Sequence, residues 1–239
     1  MNFFELPGNF FELPPPSEQP EPSFEIPEPK PWWHPPSNEL GSPVPLRVVL
    51  ARTDQVAAAL VGMTAYTTGV SFTFALRSRS SQNEEGFHPE MVFGGGALRR
   101  RPGEELPSEL LRFGVQFADG RKARTTLDGD TPWGVEGGED KAPSGPILTH
   151  LQSGGGGREW NTDYWLWPLP PPGALTFAIE WPSKKIALST HEVDASLIIE
   201  ASKSSEVLWP AAGGGEGGTT VWTLRDAAEV DYPKDDESA

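Results

Sequence analysis

The chain has 239 residues, enough for one large all-β domain or two small ones, and it contains no cysteine, which excludes disulfides, thiol catalysis and cysteine-ligated zinc. Its formal charge of −15 disfavours nucleic acid or an anionic membrane as a partner. That charge sits at the ends: residues 1–45 hold seven acids against one lysine, residues 200–239 hold nine against three bases, and the middle is nearly balanced.

The first 43 residues read as an extended, proline-rich acidic arm. Thirteen of the twenty-six prolines fall in residues 1–45, and each removes a backbone donor that a helix or central strand needs. A pattern of aromatic, acid, aliphatic and proline recurs three times, as Phe4-Glu5-Leu6-Pro7, Phe11-Glu12-Leu13-Pro14 and Phe24-Glu25-Ile26-Pro27. Phe4, Leu6, Phe11, Leu13, Phe24 and Ile26 are therefore candidate anchors that dock the arm into a protein partner or a second copy of the chain. Adjacent Trp32 and Trp33 are costly to leave in water, so that end of the arm is expected to pack on the body.

Residues 44–210 are expected to form one mainly antiparallel β-sandwich of seven or more strands. Alternating Leu46, Val48 and Leu50 open the first strand. The run from Gln55 to Tyr66 mixes helix-favouring alanines with strand-favouring valine, threonine and tyrosine; it is assigned as a strand paired through Thr67-Thr68-Gly69 with Val70, Phe72, Phe74 and Leu76. Residues 78–108 form a long polar excursion. A second hairpin alternates Leu111, Phe113, Val115 and Phe117, turns at Asp119-Gly120 as a two-residue type I′ turn, and returns through Ala123, Thr125 and Leu127. Ile147–Leu151 reads as a short strand, and Gly154–Gly157 as a flexible turn.

The densest apolar patterning is Asp163–Pro182, DYWLWPLPPPGALTFAIEWP, two strands around a proline corner. Beyond it, Ser189 and Glu192 fit a capping box, and Val193, Leu197, Ile198 and Ala201 fit one face of a single C-terminal helix running to about Lys203. Residues 211–239 are a glycine-rich linker and acidic tail, with a short strand or docking segment over Val221–Leu224.

Motifs that carry chemistry are sparse. His88-Pro89-Glu90 with His150, or the His191-Glu192 pair, supply metal-ligand types without the close spacing such sites show, so no metal and no catalytic residue are assigned. Asp128, Asp130, Glu136, Glu139 and Asp140 make an acidic loop without the EF-hand order. The glycine runs at Gly94–Gly96 and Gly154–Gly157 lack the following Lys-Ser or Lys-Thr of a phosphate loop, and no Gly-x-Ser-x-Gly elbow occurs. Arg99, Arg100 and Arg101 form the only basic triplet, suited to carboxylates more than to DNA. Trp160, Tyr164, Trp165 and Trp167 suggest a ring platform for sugar, against the competing reading that alternating Trp165 and Trp167 simply fill a sandwich core.

The segments HPEMVFGGGALR, DYWLWPLPPPG and L-x-F-x-x-EWP, with the helix expected after them, resemble an uncharacterised group of actinomycete hypothetical proteins over roughly residues 44–210. The resemblance implies a shared fold and a bacterial cytoplasm, and no activity. The expected function is a non-enzymatic binding or scaffolding module without a cofactor. Two alternatives stand beside it: a metal-dependent enzyme using His88, Glu90 and His150, and a carbohydrate-binding module using the Trp160–Trp167 aromatics. With no basic, apolar leader in MNFFELPGNF and no run of about 20 apolar residues, a cytoplasmic location and no membrane partner are expected.

Overall fold

The computed structural model describes residues 24–27, 30–80, 106–125, 142–209 and 219–222. The chain divides into two compact units, one joining Met1–Glu28 with Gly213–Ala239 and one spanning Pro29–Ala212. In the first, strand β1 (Phe24–Pro27) pairs antiparallel with β14 (Thr219–Trp222), placing Phe24 opposite Trp222 and Ile26 opposite Thr220.

The larger unit is a sandwich of two antiparallel sheets. The six-stranded sheet contains β3 (Ser42–Pro43), β4 (Val48–Arg52), β5 (Val56–Ala65), β6 (Val70–Ser78), β9 (Ile147–Gly156) and β10 (Glu159–Trp167), in the spatial order β3-β5-β6-β10-β9; β4 shares one edge of β5 with β3. The four-stranded sheet runs β12 (Ile186–Asp194), β11 (Ala174–Trp181), β7 (Arg112–Gln116) and β8 (Lys122–Arg124). A short ribbon pairs β2 (Glu39–Leu40) with β13 (Glu206–Val207), and helix α1 (Ser196–Ser202) packs on β5 and β3.

Period-two burial explains the strands. β5 buries Val56, Ala58 and Leu60 on one face until Gly62, at φ +60°, breaks the register and returns Met63 and Ala65 to the interior, so the alanine-rich run is a strand because it alternates. Leu175, Phe177, Ile179 and Trp181 of β11 all point inward and are fully buried or nearly so. The two sheets meet through aromatic rings: Phe72 of β6 lies 6.1 Å from Phe113 and 5.7 Å from Phe177 between ring centres. The proline corner after Trp167 is a crossover from one sheet to the other, tied by the Leu169 N–H donating to the Thr68 carbonyl at 2.8 Å.

Four expectations are corrected. Ser189 and Glu192 lie in strand β12, opposite Ile179 and Thr176, and the helix begins only at Ser196. The apolar ladder of β11 recruits this segment as an edge strand, whose spacing of outward polar residues also satisfies a capping-box pattern. Asp194 instead marks the start of the helix, accepting the Ser196 N–H at 2.9 Å, a contact that holds its carboxyl below the usual range. The turn at Asp119-Gly120 is not type I′, since only Gly120 has positive φ; Phe117 and Arg121 close a three-residue loop with Gly120 in the left-handed position. Gly154–Gly156 are part of β9, and the turn is Gly157-Arg158, with positive φ at Gly157. The long partner β10 keeps this glycine backbone in its ladder.

The fourth correction concerns the tryptophans. The β10 residues that enter the sandwich core are Tyr164 and Leu166; Trp165 and Trp167 point to the opposite, outer face of the sheet. Trp165 is nevertheless fully buried, because Pro31, Tyr66 and Gly69 close around it.

Candidate functional site

The outer face of the six-stranded sheet holds one group of described residues that combines polar chemistry with an accessible, mostly polar concavity. Along β10, the side chains on this face are Glu159, Asn161, Asp163, Trp165 and Trp167, spaced about 6.8 Å apart. The face therefore changes character halfway along one strand, from polar to aromatic.

The aromatic half is sealed. Trp165 donates its indole N–H to the Pro31 carbonyl at 3.0 Å and meets Tyr66 edge-on at 5.6 Å between ring centres. Trp32, itself 9% exposed, stands edge-on to half-buried Trp167 at 6.0 Å. Gly69 lies under the Trp165 ring, where a Cβ would come within 2.6 Å of it. Docking of the Trp32 end of the arm on the body is thus observed. Stacking on sugar needs a free ring face, and Trp165 has none; Trp160 is half-buried against the sandwich core.

The polar half is open. Thr73, Gln152, Ser153, Gly154, Asn161 and Asp163 line a shallow concavity of about 450 Å³. At its centre the Asp163 carboxylate is held from both sides: Thr73 Oγ1 donates to one oxygen at 2.5 Å, and Gln152 Nε2 to the other at 2.7 Å. Asn161 accepts from Arg77 at 2.9 Å through its Oδ1, which fixes the amide with its Nδ2 donors turned away from Arg77. Arg77 is further paired with Glu159 at 3.7 Å, an exposed pair worth little in stability.

On the other side of β9, His150 Nε2 and Ser153 Oγ are 2.6 Å apart, and Ser153 Oγ lies 3.1 Å from the buried Thr162 hydroxyl. Partial burial lowers the His150 pKa, opposed by the nearby Asp163 charge, so the neutral imidazole is favoured. The pair has the spacing of a nucleophile and its base, but no described carboxylate or carbonyl holds the second ring nitrogen. His191 is elsewhere, bridging the sheets to the Leu50 carbonyl at 2.5 Å. Among the described residues no group of three His, Asp or Glu converges as a metal site.

Of the residues singled out from sequence, Phe4, Leu6, Phe11, Leu13, His88, Glu90, the acids of residues 128–140, and Arg99–Arg101 lie outside the described residues. Phe24 and Ile26 lie in β1, in register with Trp222 and Thr220 of β14. The polar cradle escaped sequence reading because Gln152 sits opposite Asp163 only once Gly154–Gly156 are strand and the turn is Gly157-Arg158, whereas the glycine run reads as the turn itself. One signal was available: Glu159, Asn161 and Asp163 put three polar side chains on the face that later carries Trp165 and Trp167. Among the described residues no helix is long and apolar enough to cross a membrane. No family model, no curated protein and no solved structure matches this chain.

Proposed function

We propose that the chain is a non-enzymatic binding module: a β-sandwich whose proline-rich arm recruits a protein partner by adding short strands to it. The observation that supports this reading is the pairing of Phe24–Pro27, the third copy of the repeated pattern, as a strand against Thr219–Trp222. Four residues suffice for such a strand. Phe and Leu or Ile at alternate positions then share one side and act as paired anchors, the intervening acid faces away, and the proline ends the ladder. Phe4–Pro7 and Phe11–Pro14 repeat the same arrangement upstream. Two copies on one tether raise the effective concentration of the second once the first has bound.

Each anchor side chain that becomes buried contributes about 1.5–3 kcal/mol, so four together dominate the affinity of a short segment. The test replaces Phe4, Leu6, Phe11 and Leu13 with serine in the full chain. Cooperative melting of the body is expected to stay unchanged, while self-association in sedimentation, or the set of proteins cross-linked to the chain in its own cells, is lost. A variant that alters neither overturns the reading.

A further inference from the structure

We propose that the outer face of the six-stranded sheet carries a binding site for a neutral saccharide, centred on Asp163 and formed with Thr73, Gln152 and Asn161. The site is independent of the arm, and it uses none of the buried tryptophans.

Three features point to a ligand. The groups are organised before any ligand arrives: Asp163 is fixed by Thr73 and Gln152, and Asn161 by Arg77, all on paired strands, so little side-chain freedom remains to be lost on binding. Each carboxylate oxygen still has a free lone pair, while Gln152 keeps its Oε1 acceptor and Asn161 its Nδ2 donors. The cradle is also accessible along β9, since a side chain built at Gly154 would meet nothing within 4 Å.

The chemistry of the lining selects the class. The central Asp163 carboxylate is held by neutral donors while the nearby Arg77 charge is offset by Glu159, so the site repels phosphate and other anions. A divalent cation would meet a single carboxylate whose oxygens are both already hydrogen-bonded, with the Arg77 guanidinium on the neighbouring amide oxygen. Among the described residues no large apolar side chain lines the concavity, so an apolar ligand gains nothing from them. A hydroxyl both donates and accepts, and a saccharide presents several at fixed spacing. Its hydroxyls donate to Asp163 and Gln152 Oε1 and accept from Asn161 Nδ2, leaving no charge uncompensated.

The experiment titrates the full chain, by calorimetry and by saturation-transfer NMR, with a panel of neutral mono- and oligosaccharides built from glucose, mannose, galactose, xylose and N-acetylglucosamine. Sorbitol, inorganic phosphate and calcium chloride are run as separate arms. At least one saccharide is expected to bind, with affinity falling about tenfold in Asn161→Ala and Asp163→Asn, as expected for loss of hydrogen bonds to a fixed amide and to a charged group. Gly154→Trp, placed where the backbone leaves open space, fills the mouth of the cradle and is expected to abolish binding with unchanged melting. Asp163→Asn also disturbs the Thr73 and Gln152 contacts, so Gly154→Trp and Asn161→Ala decide the case if that variant unfolds. Absence of binding across the saccharide panel overturns the proposal. So does binding that survives Gly154→Trp, or a preference for phosphate, calcium or sorbitol over every saccharide.

Discussion

The inner and outer faces of the six-stranded sheet are made by the same strands, and they solve opposite problems. On the inner face, Phe72, Phe74, Tyr164 and Leu166 interlock with Phe113 and Phe177 of the facing sheet in one continuous apolar core. On the outer face, apolar burial is local and borrowed: Trp165 is dry because Pro31, Tyr66 and Gly69 close around it, and two residues back along β10 the same face is a polar cradle. Stability of the sandwich therefore rests on the inner face, while the outer face is free to vary from sealed to open along a single strand.

The strongest way to break this contrast is to empty the inner face. Phe72 is 1% exposed and touches three other aromatic rings across both sheets. Phe72→Ala is expected to lose about 3–5 kcal/mol in denaturant unfolding, the sum of lost transfer energy and a cavity that the three surrounding rings cannot close.

The aromatic cover comes next. Trp32→Ala removes an indole that is 9% exposed but stands outside the sandwich core, against Trp167, so the cavity it leaves is not enclosed by the two sheets. A loss of about 2 kcal/mol is expected, with tryptophan emission shifting to the red as Trp165 and Trp167 are wetted. An unchanged emission spectrum would mean that the arm does not seal this half of the face.

Much of the inner face was legible in the chain and much of the outer face was not. Alternation in Val70–Leu76, Leu111–Phe117 and Leu175–Trp181 announced strands with one buried side, and each of those alternating apolar residues is buried, with Ala75 and Gly114 buried between them. Alternation cannot say which side of β10 meets the other sheet, because Tyr164 and Leu166 are as apolar as Trp165 and Trp167. That choice was made by partners distant in sequence, Pro31, Trp32 and Tyr66. The cradle was invisible for a related reason: it needs Thr73 and Gln152, ninety and eleven residues from Asp163, placed on either side of it by sheet pairing. β12 was misread as helix because edge strands alternate polar residues outward, and that pattern leaves room for a helical spacing in the same letters.

Within the outer face, the cradle can be loosened without touching either the core or the cover. Thr73→Val keeps the side-chain shape and removes the donor to Asp163 Oδ1. The carboxylate is only half-buried and regains water, so a loss of about 1 kcal/mol is expected, smaller than that of Trp32→Ala. A loss equal to that of Phe72→Ala would show that the outer face supports the fold as strongly as the inner one.

The smallest effect expected comes from His150, at the rim where the two faces meet on β9. Burial pulls its pKa below the ordinary 6.5, and the Asp163 charge only partly offsets this. The unfolded chain therefore binds the proton more readily than the folded one, and stability rises with pH across the interval between the two values. Read downward, the contribution of neutral His150 is complete above pH 6.5 and is lost as pH falls from there through the folded value. Asp194, Asp119 and Glu109 also have depressed values, held down by the Ser196 contacts, the Arg121 contacts, and a backbone N–H with the Ser108 hydroxyl, respectively. Their contributions act in the same direction, but only in the more acidic range where carboxylates titrate, so the two windows separate. His150→Gln retains a hydrogen-bonding group for Ser153 and does not titrate. Urea unfolding of the two chains is expected to give parallel stability curves above pH 7, and a shallower fall for the variant just below pH 6.5. Curves that stay parallel across that interval would place the His150 ring in solvent, and the edge of the inner face at β9 would then be open to water.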